Sequence, residues 1–248
     1  MQAVLYICHG SRVAEGRKQA ANFVEKCKSE FPFPIQETCF LELAEPTIQE
    51  GIASCIRKGA TKVAVIPVLL LAATHVKKDI PEEIGKARKD FPEVVFQLGD
   101  PIGVHENVVG VLSDRIHETN KPIHSDAMAL LVGRGSSDPA IKQELLRIAK
   151  LLNDNMSFKK VSVCFLAAAN PSFESGLKMA TSSGYSQVFV IPYLLFTGIL
   201  MGEMEQKINE LKPDEQEVVL CHYLGYHSKL KEILRQRVNE TVAAVASP

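Results

Sequence analysis

Tryptophan is missing from these 248 residues, and aromatics make up only 6% of them. The chain therefore has no stacking-rich segment of the kind that grips single-stranded nucleic acid. Charge of one sign is missing too. Lys and Arg number 28 against 29 Asp and Glu, a formal charge of −1, which excludes the basic stripe that nucleic acid usually calls for. No apolar run is long: QAVLYICHG at the start holds about six apolar residues, too few for a signal peptide or a membrane span. The six cysteines, Cys8, Cys27, Cys39, Cys55, Cys164 and Cys221, form no CxxC pair. They read as reduced and buried, the usage of a cytoplasmic protein. A Walker lysine and GxGxxG spacing are also lacking, which leaves a nucleotide-binding module without its phosphate loop.

What is present is a duplication. Shifted by 125 residues, CFLELAEPTIQEG from Cys39 falls on CFLAAANPSFESG from Cys164, and VIPVLL from Val65 falls on VIPYLL from Val190. Between Thr38 and Leu70, 13 of 33 positions are identical, where chance would leave about two at ordinary residue frequencies. After the third helix of each copy the offset falls to 122, and Gly103 and His105 meet Gly225 and His227. The polar stretch Glu118 to Pro122 breaks the helical pattern. It predicts a boundary between an N-terminal domain, 1–122, and a C-terminal domain, 123–248.

Each half alternates apolar runs with segments of helical period. In the first half the runs are AVLYI, PIQETCFL, KVAVIPVLLL and VVFQLG; in the second they are AMALLV, KVSVCFL, QVFVIPYLLF and EVVLCHY. Strands apolar on both faces, alternating with helices, predict an α/β chain with two tandem four-stranded parallel sheets, each flanked by helices. Glu45-Pro46 and Asn170-Pro171 are expected to cap and open a helix in each half, and Gly59 and Gly184 to end it.

The two copies part where chemistry would sit. His9 faces Arg134, Glu42 faces Ala167 and His75 faces Leu200. His9 ends the first strand, Glu42 follows the second and His75 the third, so all three belong to the carboxyl edge of one sheet, where ligands of such folds bind. Taken singly, a strand-end histidine is more often a hydrogen-bonded structural residue than a ligand, and Glu42 reads as a solvated loop carboxylate; their joint loss from the second copy ties them together. Two imidazoles and a carboxylate suit iron, cobalt, nickel or zinc and leave coordination positions open. A histidine can also take up a proton near neutral pH. Cys8 is expected to turn away from His9 by strand alternation. His105 and His227, alike in both copies, read as structural, and His117, His124 and His222 as surface residues. The GRGSS of Gly133 to Ser137 opens a helix and suits a phosphate or carboxylate.

CHGSR from Cys8, FLELAEPT from Phe40, PVLLLAATHVKKDIP from Pro67 and GRGSSDP from Gly133 together resemble the sirohydrochlorin chelatase family. They look like its cobalt-chelatase and sirohydrochlorin ferrochelatase type, in the long two-copy form of Bacillus-like bacteria. The resemblance implies two flavodoxin-like, chelatase-type halves facing across a cleft that holds a tetrapyrrole. It implies His9 and His75 as the metal-binding and catalytic pair, Glu42 as the acidic ligand, and a second half without an active site. The activity implied is insertion of Fe2+ into sirohydrochlorin to form sirohaem, with release of two protons. Cobalt or nickel insertion, or a metal or tetrapyrrole carrier without catalysis, stands as the alternative. The metal is a substrate, no organic cofactor is implied, and a chain carrying both halves is expected to be a monomer without nucleic-acid or membrane partners. For the carboxylates of such a ring, Ser11, Arg12, Arg134, Ser136 and Ser137 are the candidate donors. Leu43, Leu200 and Met201 are candidates for its apolar bed.

Overall fold

The computed structural model describes residues 1–73, 75–211, 216–225 and 227–246, without the side chains of His75, Val245 and Ala246. Among the described residues the first sheet is built from β1 (Gln2–Cys8), β2 (Ile35–Phe40), β3 (Lys62–Val68) and β4 (Val95–Leu98). The second is built from β5 (Met128–Gly133), β6 (Lys160–Phe165), β7 (Gln187–Tyr193) and β8 (Glu217–Leu220). Their orders are β2-β1-β3-β4 and β6-β5-β7-β8, and every pairing is parallel. The helices are α1 (Ala14–Lys28), α2 (Ile48–Arg57), α3 (Ile80–Asp90), α4 (Glu106–His117), α5 (Pro139–Asn155), α6 (Phe173–Thr181), α7 (Ile199–Asn209) and α8 (Ser228–Ala246). The expected tandem α/β architecture is what forms.

Sequence pattern explains the strand order. Ala3 to Cys8 in β1 are all at most 1% exposed, as a central strand sandwiched between helices requires. Edge strands β2 and β4 carry the partly exposed positions. Gly59 directly follows the cap of α2 with a φ of +89°, and Gly184 follows that of α6 two residues on with a φ of +74°, a left-handed turn after each helix as expected. The helix starts differ from expectation. Both prolines follow cis peptide bonds in loops, and the caps lie further on, at Thr47 and Ser172. Thr47 Oγ1 accepts from the Glu50 N–H while the Glu50 carboxylate accepts from the Thr47 N–H. A hydroxyl capping box of this kind satisfies two orphan donors, which Glu45 two residues upstream cannot do.

The last helix of each repeat packs with the other repeat's sheet. The compact units are 1–103 with 230–248, and 104–229, so the repeat boundary at 122 and the packing boundaries do not coincide. In the first unit, Leu230, Ile233, Leu234 and Val238 of α8 are fully buried. Arg237 donates to the Pro101 and Ile102 carbonyls at 2.9 and 3.2 Å. A Cβ on Gly99 would lie 2.2 Å from Thr241 Oγ1, so glycine is what lets α8 approach β4. In the second unit, Arg115 of α4 donates to the Leu224 carbonyl at 2.6 Å and Lys229 reaches the Gly110 carbonyl at 3.3 Å.

This exchange predicts that a chain ending at Lys229 loses its first unit. Four fully buried aliphatic side chains contribute roughly 2 kcal/mol each, together on the scale of the ~5–15 kcal/mol that holds a domain. Hydrogen exchange should show β1 to β4 unprotected in that truncation while β5 to β8 stay protected. Retained protection in β1 to β4 would contradict the assignment of α8.

Candidate metal centre

The site grows out of two loops that lock together. At the end of β1 the chain runs through His9 and Gly10, and at the end of β2 through Leu41 and Glu42. Leu41 N–H donates to the Cys8 carbonyl at 2.8 Å, and Glu42 N–H to the His9 carbonyl at 3.2 Å. Phe40 N–H closes the second loop onto the Pro46 carbonyl at 2.8 Å. Gly10 makes the approach possible: its φ is +92°, and a Cβ there would sit 1.8 Å from the Glu42 carbonyl oxygen. No L side chain fits that space.

On this frame His9 Nδ1 and Glu42 Oε1 stand 3.5 Å apart, with side chains 27% and 42% exposed. The gap is longer than a strong hydrogen bond. It matches neighbouring ligands on a tetrahedral ion, which at bonds of ~2.1 Å lie about 3.4 Å apart. Cys8 is not a rival ligand. It is 1% exposed, enclosed among the core side chains of β1, where burial pushes its thiol up to about 12.

His75 heads a one-turn π-helix, His75–Asp79, seven residues beyond the end of β3; its side chain lies outside the described residues. Short π segments within helices are frequent at functional sites. This one is anchored by Val76, buried in the core, whose N–H donates to the Ala73 carbonyl at 3.0 Å. Among the described residues no group of three His, Cys, Asp or Glu gathers as a metal cage. His9 and Glu42 are therefore the two proposed ligands whose side chains are seen together.

The second unit repeats the frame with other side chains. Leu166 N–H donates to the Gly133 carbonyl at 3.0 Å, Ala167 N–H to the Arg134 carbonyl at 2.9 Å, and Phe165 N–H to the Pro171 carbonyl at 3.0 Å. Gly135 has φ +91°, and a Cβ would meet the Ala167 carbonyl oxygen at 1.8 Å. Identical backbone thus carries Arg134 and Ala167, neither of them a ligand for a divalent ion.

The candidate anion donors sit on the loops as expected. Ser11 Oγ accepts from the Val13 N–H and Ser136 Oγ from the Asp138 N–H, both at 3.1 Å; an accepting hydroxyl still has a proton to donate. Arg12, Arg134 and Ser137 are exposed. Two further residues escaped the sequence reading. Arg17 Nη1 donates to the Ser11 and Arg12 carbonyls at 2.7 and 3.1 Å, holding the loop from the first turns of α1. Asp138 caps α5 by accepting from the Ala140 N–H at 2.9 Å.

The apolar candidates divide. Met201 is buried in the second core and Leu200 packs against it. Leu43 stays 50% exposed. Ile199, not foreseen, is 62% exposed. His105 and His227 are structural: their Nδ1 atoms accept from the Asn107 and Lys229 N–H groups at 3.0 and 3.3 Å. His124 is more than a surface residue, since its Nδ1 lies 2.9 Å from Ser186 Oγ.

The CbiX family matches the chain twice, over residues 3–119 and 128–241. A sirohydrochlorin ferrochelatase of Priestia megaterium is 53% identical over 98% of this chain and 92% of its own length. A sirohydrochlorin cobaltochelatase of the same organism is 36% identical over 97% of this chain and 80% of its own. The solved structure of SirB from Bacillus subtilis with Fe3+ superposes with a TM-score of 0.89 at 43% identity, covering 98% of this chain and 96% of that one. Matched once by each repeat and along nearly its whole length by chelatases, the chain belongs to the CbiX family.

Proposed function

We propose that this chain is a sirohydrochlorin ferrochelatase, inserting Fe2+ into sirohydrochlorin to give sirohaem and two protons. The observation that carries the reading is the His9–Glu42 pair, set on a frame that the second unit copies without either side chain. His9, Glu42 and His75 would hold the incoming ion. Insertion breaks two pyrrole N–H bonds and binds the ion to all four ring nitrogens, so two protons must leave as the metal enters. A ring nitrogen engaged by the ion cannot also take up a proton, so His9 and His75 would divide the two tasks or perform them in turn. The Glu42 carboxylate offsets the charge of the ion while it is held. No organic cofactor enters this chemistry.

Sirohydrochlorin is rich in carboxylates, and a chain of near-zero net charge must meet them locally. Arg134, with Ser136 and Ser137, is proposed to do so at the opening of α5, and Ser11 and Arg12 at the opening of α1. Arg134→Ala should weaken binding of the metal-free ring about tenfold, the cost of one charge-assisted hydrogen bond, while leaving turnover at saturation within about twofold. Absorbance titration and saturation kinetics separate the two effects. A fall in turnover without loss of binding would remove Arg134 from the ring site.

No helix among the described residues is long and apolar enough to cross a membrane. Cysteines without a CxxC pair support a cytoplasmic setting, and both repeats carried in one chain support a monomer. A second reading, cobalt insertion, draws on the cobaltochelatase relative at 36% identity. The deciding experiment mixes protein, sirohydrochlorin and Fe2+, Co2+ or Ni2+ and follows the absorption spectrum. Repeated turnover with Fe2+ fastest is the expected result. A change that stops at one equivalent for every metal would make the protein a carrier instead.

A further inference from the structure

The loop that bears Glu42 contains a second oddity. Leu43 has a φ of +59°, the left-handed region that a bulky L residue rarely occupies. Its counterpart Ala168 has a φ of +53°, so the loop imposes this turn in both halves and alanine suffices to make it. The leucine side chain is therefore not there for the backbone. Nor is it there for the core: its neighbour Leu41 packs against the first core, whereas Leu43 stays 50% exposed. A solitary exposed leucine on a protein surface is ordinary. One held at a strained turn directly beside Glu42, on a loop pinned at Leu41, Glu42 and Phe40, is not, because strain of this kind collects at functional sites.

We propose that Leu43 is a substrate-contacting residue that lays its side chain on the face of the tetrapyrrole beside the metal pair, fixing the affinity for the metal-free ring. The proposal rests on the sirohydrochlorin reading above. It assigns ring recognition and metal holding to adjacent residues of one loop: Glu42 takes the ion and Leu43 takes the apolar surface of the ring. The exposed leucine supplies what the partly buried Leu200 and the buried Met201 do not.

The test uses the full-length protein with Leu43→Ala, which installs the residue of the twin loop, and Leu43→Met as the conservative variant. Metal-free sirohydrochlorin is titrated by absorbance, and Co2+ is titrated separately without the ring. Leu43→Ala should bind the ring about tenfold more weakly, the loss of one buried aliphatic contact. Leu43→Met should stay within about twofold of the parent, and Co2+ affinity should be unchanged in both. Ring affinity unchanged in Leu43→Ala would overturn the proposal, as would an equal loss of Co2+ affinity, which would make Leu43 a support for Glu42. A parent protein that binds no sirohydrochlorin would overturn the underlying reading itself. That failure differs visibly from one in which the parent binds and the variant binds as well.

Discussion

His9→Ala should insert iron about 10²- to 10⁴-fold more slowly than the parent, the range set by losing a group that moves protons in the rate-determining step, with metal affinity falling alongside. The fold should survive. His9 lies just past β1, its side chain is 27% exposed, and its backbone carbonyl, which receives the Glu42 N–H at 3.2 Å, is untouched by the substitution. His9→Arg makes the sharper control, because arginine is what the second unit carries at the matching position, Arg134. A guanidinium beside Glu42 would form a fork with the carboxylate and occupy the metal's place with positive charge. That variant should be as stable as the parent, bind no Co2+ and insert nothing. His75→Ala should resemble His9→Ala in turnover. Single-turnover insertion and Co2+ titration on the three variants provide the check. Near-normal insertion by either alanine variant would end the shared role of the two histidines.

The frame was legible in the sequence because burial writes itself into composition. β1 and β3 read as unbroken apolar runs for the same reason that their residues are buried on both faces. The repeat gave the second sheet from the first. His105 and His227 were read as structural from their matching places, and each proved to accept a backbone N–H at the head of a helix. The exchange of α4 and α8 was not legible. Helical periodicity says that a face is apolar, not which sheet it covers, and two descendants of one repeat offer near-equivalent sheets. The helix starts were misplaced at Glu45 and Asn170 because the caps are hydroxyls two residues later, Thr47 and Ser172. Arg17 was invisible because its partners are the carbonyls of Ser11 and Arg12, and any residue type offers a carbonyl. The strained turn at Leu43 left no mark either, since left-handed conformations announce themselves in sequence only when glycine or asparagine fills them.

Gly10→Ala and Gly135→Ala should cost nearly the same stability and very different amounts of chemistry. In both, the new methyl group would land 1.8 Å from a carbonyl oxygen, at a φ of +92° or +91°. The left-handed conformation alone costs roughly 1–2 kcal/mol. Relieving the clash must also part the two loops and strain the bonds that join them, Glu42 N–H to the His9 carbonyl in one unit and Ala167 N–H to the Arg134 carbonyl in the other. A total of about 3 kcal/mol or more for either substitution should lower the melting temperature of the affected unit by ~10 °C. The consequences then separate. In Gly10→Ala the displaced loops carry His9 and Glu42, whose 3.5 Å spacing is set by that junction. A shift of an ångström at a metal-holding pair should reduce insertion on the order of 10²-fold and weaken Co2+ binding with it. In Gly135→Ala the displaced loops carry Arg134 and Ala167, so Co2+ affinity and saturated turnover should stay within about twofold while ring binding weakens. Calorimetry measured beside Co2+ titration on the two variants reads both halves of the expectation. Matching stability losses with matching losses of Co2+ affinity would mean that the second frame also holds metal, and the assignment of the chemistry to the first repeat would fail.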